Sequence, residues 1–270
     1  MALLDSRTIK GLRTQKKVIS ALMYRELKTR VSQVQFGVLG VFIEPLGVMT
    51  IFLSIYGITR GFRGASLMNF LDYAIFLLPG IVTFSLFNEI AIRSLNAMLA
   101  NEALFFYKPV KPIDTVIART LVETGLYSVM YLTLIFIISL LREKFYLLDF
   151  SFLFLNFLLI AITSFGVGLI LMVAGHRYVI LYQIVPLFMR PLWLVSGIFY
   201  GVTQLPPEVQ PFVSWWPVIQ SIEISRYILV EDYIVDFNVI SIWYLIFCAF
   251  LLLFLGLFIY KNNEKILLRR

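Results

Sequence analysis

The 270-residue chain has one cysteine and one histidine, and it nowhere carries the Gly-x4-Gly-Lys-Ser/Thr run that cradles a nucleoside triphosphate. Each absence closes a route. Cys248 lies inside an apolar run, so no disulfide forms within one chain. His176 sits in a short turn beside Arg177, and a metal site would ask for three or four convergent ligands. One histidine, with no paired carboxylates on an exposed loop, builds little acid–base chemistry. Without a P-loop, any ATP spent on the chain's behalf must be hydrolysed by a separate protein. Charge is scarce too, at 14% of residues, where a soluble domain carries roughly a quarter.

Apolar residues make up 60% of the chain. A membrane span needs about 20 mostly apolar residues, and six stretches meet that length: 36–58, 73–99, 116–141, 150–173, 178–202 and 239–260. The sequence therefore predicts an all-α integral membrane protein, a single domain over 1–270, with no room for a soluble domain. No repeat, low-complexity run or linker is visible. The basic N-terminus lacks an apolar core of the signal-peptide kind, so no cleavable leader is expected.

The formal net charge of +7 does not point to nucleic acid, because the cations flank the spans. Arg7, Lys10, Arg13, Lys16, Lys17, Arg25, Lys28 and Arg30 precede the first, and Lys261, Lys265, Arg269 and Arg270 close the chain. Such clusters mark the cytoplasmic side, so both termini are expected inside, in keeping with an even span count. In 203–238 acidic side chains outnumber the single basic one, Arg226, as expected of an outer loop.

Residues 10–33 show helical periodicity: Val18, Ile19, Leu22, Met23, Leu27 and Val31 form a stripe, with Lys16, Lys17, Arg25, Lys28 and Arg30 over the remaining surface. That pattern predicts a helix lying in the membrane plane with its cations at anionic headgroups. Segment 203–238 is too polar and proline-rich to span, yet holds Phe212, Trp215 and Trp216. It predicts two short helices dipping into the outer leaflet and returning, the second amphipathic and carrying Glu223 and Arg226. Gly197 and Gly201 form a GxxxG spacing that would allow close helix approach.

Ionisable groups at membrane depth are expensive and face a pathway or one another. Glu44, Glu89, Arg93, Arg119 and Glu123 all fall in the expected inner half. Glu89 and Arg93, and likewise Arg119 and Glu123, sit at i,i+4 and can pair along their own helices. Either they join neighbouring helices structurally, or Arg93 or Arg119 reads an anionic headgroup or phosphate. Arg190 stands alone near mid-span in FMRPLWLVSGIFY, beside Trp193, Phe199 and Tyr200. Its position suits a cavity facing substrate, and aromatic faces suit sugar rings, although aromatics at span ends also serve as interfacial belts.

The connection at 100–113 departs most from expectation. A tight inner turn should be short and polar. Instead a small amphipathic helix ends in Leu104, Phe105, Phe106 and Tyr107, followed by Lys108, Pro109, Lys111 and Pro112. Consecutive aromatics facing water call for a cover, and a separate motor would need such a docking element.

These residues carry a resemblance. ANEALFFYKPVKPIDTVIAR at 100–119, Ile43-Glu44-Pro45 and MRPLWLVSGIFY at 189–200, set in the span pattern above, resemble the type 2 family of ABC exporter permeases. They are similar in particular to capsular polysaccharide export permeases of the KpsM/BexB type. The resemblance runs over nearly the whole chain and implies a bacterial inner-membrane homodimer joined by two copies of a separate ABC ATPase. ATP and magnesium would then be bound by that partner and no cofactor by this chain. It implies a periplasmic adaptor, an outer-membrane channel and a lipid-linked acidic polysaccharide as cargo. By the same likeness Asn101, Glu102, Leu104, Phe105, Phe106 and Tyr107 would form the coupling helix. Export of an O-antigen or teichoic-acid-type polymer is a neighbouring reading. A membrane-embedded glycolipid transferase would demand an exposed carboxylate or histidine site, and an ion-coupled transporter would not need the aromatic hairpin.

Overall fold

A computed structural model describes residues 6–32, 40–63, 70–107, 109–143 and 150–267. Residues 36–39 of the first expected span, Lys108 of the hairpin, and Arg269 and Arg270 lie outside them, as do the side chains of Val31 and Glu44. Among the described residues every regular element is helical. In order they are α1 (Ser6–Ser32), α2 (Gly40–Arg63), α3 (Phe70–Leu95), α4 (Ala97–Ala100), a 3-10 turn (Glu102–Phe106), α5 (Pro112–Arg142), α6 (Phe150–Arg177), α7 (Leu181–Val195), a 3-10 turn (Val202–Gln204), α8 (Gln210–Ser214), α9 (Pro217–Leu229) and α10 (Ile242–Leu267).

Helix α3 is the centre of the bundle, with α2, α5, α6, α7 and α9 packed around it. Of its most apolar stretch 78% is buried, against 22% for α10, so α3 is a core helix and α10 a peripheral one. The peripheral face of α10 shows Phe247, Phe250, Phe254 and Phe258, a surface that suits lipid rather than water. Helices α6 and α10 approach most closely: a Cβ on Gly256 would lie 2.6 Å from the Gly166 carbonyl oxygen. Only paired glycines let the two backbones touch.

Among the described residues four helices, α3, α5, α6 and α10, are long and apolar enough to cross a membrane. The apolar part of α2, Pro45–Ile58, and α7 are shorter. Of the expected span at 178–202 only Leu181–Val195 is helical: α7 has 15 residues, is interrupted by Pro186 and Pro191, and gives way to a turn in which Gly197 takes φ +71°. That left-handed conformation suits glycine because a Cβ would clash with the following carbonyl. Gly197 and Gly201 thus lie beyond the helix, and the GxxxG contact face expected of them does not form.

Proline and carboxylate chemistry sets the ends. Pro112 opens α5 and Pro217 opens α9, each at a first-turn position where the missing N–H costs nothing. Asp114 caps α5 by accepting the Lys111 backbone N–H at 3.0 Å. Segment 203–238 does contain two short helices, α8 and α9, but α9 has no wet face. Glu223 and Arg226 are both fully buried, which corrects the amphipathic reading of that helix.

Helix α1 also differs from a helix that only lies in the membrane plane. It packs along α5, burying Leu22 and half-burying Val18, Ile19 and Met23. Lys16, Lys17 and Lys28 face outward as expected. Arg25 and Arg30 do not. Both turn inward to partners on the bundle, because carboxylates and an amide await them there.

Candidate functional site

The hairpin at 97–112 is built on two feet, and α1 holds both. At the first foot Asn101 is buried; its amide donates to the Ala97 carbonyl at 2.8 Å while its side-chain oxygen accepts from Arg25. At the second, Gln15 donates to the buried Asp114 carboxylate at 2.6 Å. Phe105 and Ile113 pack inward on a small apolar cluster that includes Ala97, Met98 and Val116. That leaves Leu99, Phe106 and Tyr107 on the outside, 62%, 65% and 66% exposed. Glu102 is exposed beside them and Leu104 is half-buried. So the expected aromatic run divides: Phe105 anchors the hairpin, and Phe106 and Tyr107 are presented by it.

Above the hairpin the charges expected within the spans form one network with α1. Arg93 donates from Nε to Glu89 at 2.8 Å, as its i,i+4 spacing predicts. The second expected pair is corrected, since Arg119 and Glu123 each reach across to other helices. Arg119 lies 3.1 Å from Glu26 and donates to the Arg93 carbonyl. Glu123 lies 3.1 Å from Arg93 and 3.5 Å from Arg30, and Arg30 also reaches Glu89 at 3.4 Å. Glu26 completes the set at 3.1 Å from Arg93. Three guanidinium groups (Arg30, Arg93, Arg119) thus face three carboxylates (Glu26, Glu89, Glu123), and the charges balance. That balance favours the structural reading of Arg93 and Arg119. Glu26 and Arg30 could have been found in the sequence, since Glu26 sits on the apolar stripe of α1 between Leu22 and Arg30, where a carboxylate needs a partner.

Arg190 stands elsewhere. Together with Trp193 it lines a cavity between α2, α3 and α7. The Trp193 ring packs on Phe52 of α2 and on Phe199, with centroids 5.8 and 4.9 Å away. Phe199 is thereby part of an aromatic clasp between α2 and the end of α7. The Tyr200 hydroxyl donates to the Val195 carbonyl at 2.5 Å, closing the turn that follows α7.

At the opposite end of the bundle lies a constellation with no expected role. Arg226 of α9 donates to the carbonyls of Phe76, Tyr200 and Ile198 at 3.0, 2.8 and 2.6 Å, and to Glu223 at 3.0 Å. Its guanidinium also lies 3.7 Å over the Phe76 ring. Tyr233 donates to the same carboxylate at 2.9 Å. Burial above all pushes the Tyr233 phenol well above its ordinary value, so it remains a donor. Arg226 ties α3, α9 and the exit of α7 into one knot.

A model of the ABC-2 type transporter family matches residues 17–230. The chain belongs to the ABC-2 type transporter family. The match takes in the hairpin, the charge network, the Arg190 cavity and the Arg226 knot. Among curated ABC-2 relatives, the polysialic acid transport protein KpsM of Escherichia coli is 34% identical over 96% of this chain and 98% of its own length. The capsule polysaccharide export inner-membrane protein BexB of Haemophilus influenzae is 28% identical over 97% of each chain. CtrC of Neisseria meningitidis serogroup A, also named a capsule polysaccharide export inner-membrane protein, is 27% identical over 95% of each.

Proposed function

We propose that this ABC-2 protein is the permease subunit of an ATP-driven exporter that carries lipid-linked capsular polysaccharide across the bacterial inner membrane. The observation that carries the reading is the braced hairpin: Leu99, Phe106 and Tyr107 stand exposed on a scaffold pinned at Asn101 and Asp114, in a chain with no nucleotide-binding run of its own. The relatives that match this chain end to end, named for capsule polysaccharide or polysialic acid transport, support the cargo class.

In this reading the chain pairs with a second copy, and two ATPase subunits hold ATP and magnesium. Helices α2 and α7, with the residues that flank them, complete six spans. Both termini face the cytoplasm, and α8 and α9 are re-entrant from the outer side. Closure of the ATPases pushes on Phe106 and Tyr107, and Phe105 passes the motion to α3 and α5 through the feet of the hairpin. A pathway between the two copies, with Arg190 and Trp193 along it, threads the sugar chain outward toward a periplasmic adaptor and an outer-membrane channel. Glu44, Glu89, Arg93, Arg119 and Glu123 set the inner ends of the helices that open it, while Phe199 and Tyr200 shape its outer turn.

Substituting Phe106→Asp places a charge in the docking face. With the wild-type chain the co-expressed capsule-export ATPase should co-purify in detergent and capsule export should be restored in a permease-deleted strain. With Phe106→Asp both should be lost while the permease still elutes as a single peak. Unaltered co-purification would count against the docking surface.

A further inference from the structure

Arg190, itself exposed, shares its cavity with a buried group that lacks a partner. The cavity, of about 430 Å³, is walled by Val48 of α2, by Phe84 and Asn88 of α3, and by Met189, Arg190 and Trp193 of α7. That volume lies in the range of about 300–1,000 Å³ typical of small-molecule sites. The Asn88 side-chain oxygen is buried and has no hydrogen-bond partner among the described residues. Arg190 contrasts with Arg93, Arg119 and Arg226, each held by a carboxylate; among the described residues no carboxylate lies within ion-pair distance of it. A buried acceptor without a donor is costly, and a lone cation at membrane depth is expensive as well. The two defects open onto the same space.

We infer that this cavity is a subsite for an acidic sugar unit, with Arg190 taking the carboxylate and Asn88 accepting a ring hydroxyl. The assignment rests on the proposed export of polysaccharide and adds a place and a chemistry to it. One cation and one acceptor ask for a ligand carrying an anion and a hydroxyl together. Phe84 and Trp193 supply apolar faces for the C–H surface of the ring, and Trp193 is held in place by Phe52 and Phe199. A phospholipid headgroup offers the anion and hydroxyls but no flat apolar face for the aromatic wall. Arg190, with Leu181 and Val195 ending its helix, is also well inside α7, where a headgroup would have to leave the interface.

The test uses the permease–ATPase complex in phosphatidylcholine nanodiscs, titrated with a glucuronate-containing tetrasaccharide and, separately, with neutral maltotetraose. The glucuronate probe should bind at least ten-fold tighter than maltotetraose. Arg190→Gln should weaken it ten-fold or more, Arg190→Lys should weaken it less, and Asn88→Leu should weaken it several-fold. Asn88→Asp, which sets a negative charge beside the carboxylate, should weaken it more than Asn88→Leu. Each variant must elute with its ATPase bound; if Arg190→Gln does not, Arg190→Lys and Asn88→Asp decide the matter.

Equal affinity in wild type and the variants overturns the subsite. So does a saturable Arg190-dependent response to nanodiscs doped with phosphatidylglycerol in the absence of any sugar binding. Loss of the permease dimer in Arg190→Gln without loss of probe affinity also overturns it, by making Arg190 an intersubunit contact. A wild-type complex that keeps its ATPase and restores capsule export while binding the probe independently of Arg190 sinks the subsite alone. One that does neither sinks the proposed function itself.

Discussion

The bundle carries two buried arginine constellations, about 25 Å apart along α3 from Phe76 to Arg93, and they are built on opposite plans. At the far end one guanidinium, Arg226, meets three backbone carbonyls and one carboxylate in aligned hydrogen bonds and is fully buried. At the hairpin end three guanidinium groups face three carboxylates on three helices, with a single backbone acceptor, the Arg93 carbonyl, taken by Arg119. Several of those contacts are at ion-pair distance only. Glu123 lies near Arg93 and Arg30 without an aligned hydrogen bond from either, and Arg119 Nε is 3.1 Å from Glu26 without one. Backbone acceptors fix a cation in one position, whereas interchangeable carboxylates let it trade partners. The lesson is a division of labour in which the knot holds and the network, on the hairpin's side, can rearrange.

The largest expected effect breaks the knot. Arg226→Met leaves Glu223 buried without its cation and should cost about 3–5 kcal/mol, seen as a collapse of the monodisperse peak and of the thermal midpoint in detergent. Exchanging the pair, Glu223→Arg with Arg226→Glu, should recover none of that loss, since carbonyl oxygens cannot accept from a carboxylate. At the hairpin end Glu123→Gln should cost less, about 1–3 kcal/mol, because Arg93 keeps Glu89 and Glu26. There the exchange Glu26→Arg with Arg119→Glu should recover more than half of the loss caused by Glu26→Arg alone. A network that tolerates no exchange, or a knot that does, would erase the contrast. Tyr233→Phe removes one donor from Glu223 and should cost about 1 kcal/mol in the same melt. Smallest of all, Lys28→Gln on the outward face of α1 should stay within about 0.5 kcal/mol of wild type. A larger effect would mean that the exposed side of α1 has a partner of its own.

Local patterns in the chain foretold local structure. The apolar runs foretold α3, α5, α6 and α10, with ends displaced by up to seven residues at α10, and the aromatic run at Phe105, Phe106 and Tyr107 marked the hairpin. Glu89 and Arg93 pair as their spacing dictates, because both lie on one helix. What failed was whatever depends on a helix distant in sequence. Arg119 and Glu123 have the same spacing, yet α1 brings Glu26 and Arg30 between them from about 90 residues away and outbids the local pair. Arg25 and Arg30 read as headgroup cations because periodicity says which face a residue occupies, not what covers it. Arg226 read as part of an amphipathic helix for the same reason. Asn88 carried no signal at all: an amide inside an apolar run becomes informative only when its neighbours leave it unpaired.

The contact of Gly166 with Gly256 has a consequence for how motion can pass through the molecule. Two helices that meet backbone to backbone have no layer of side chains between them to compress or to slide. Helices α6 and α10 therefore form a chassis, a single stiff plate behind α3. Compliance is left to the members outside it, namely α1 on α5 astride the hairpin, α2 on α3, and the short α7 with its glycine-ended exit. A bulky residue at either glycine would pry the plate apart and leave the frame itself to bend.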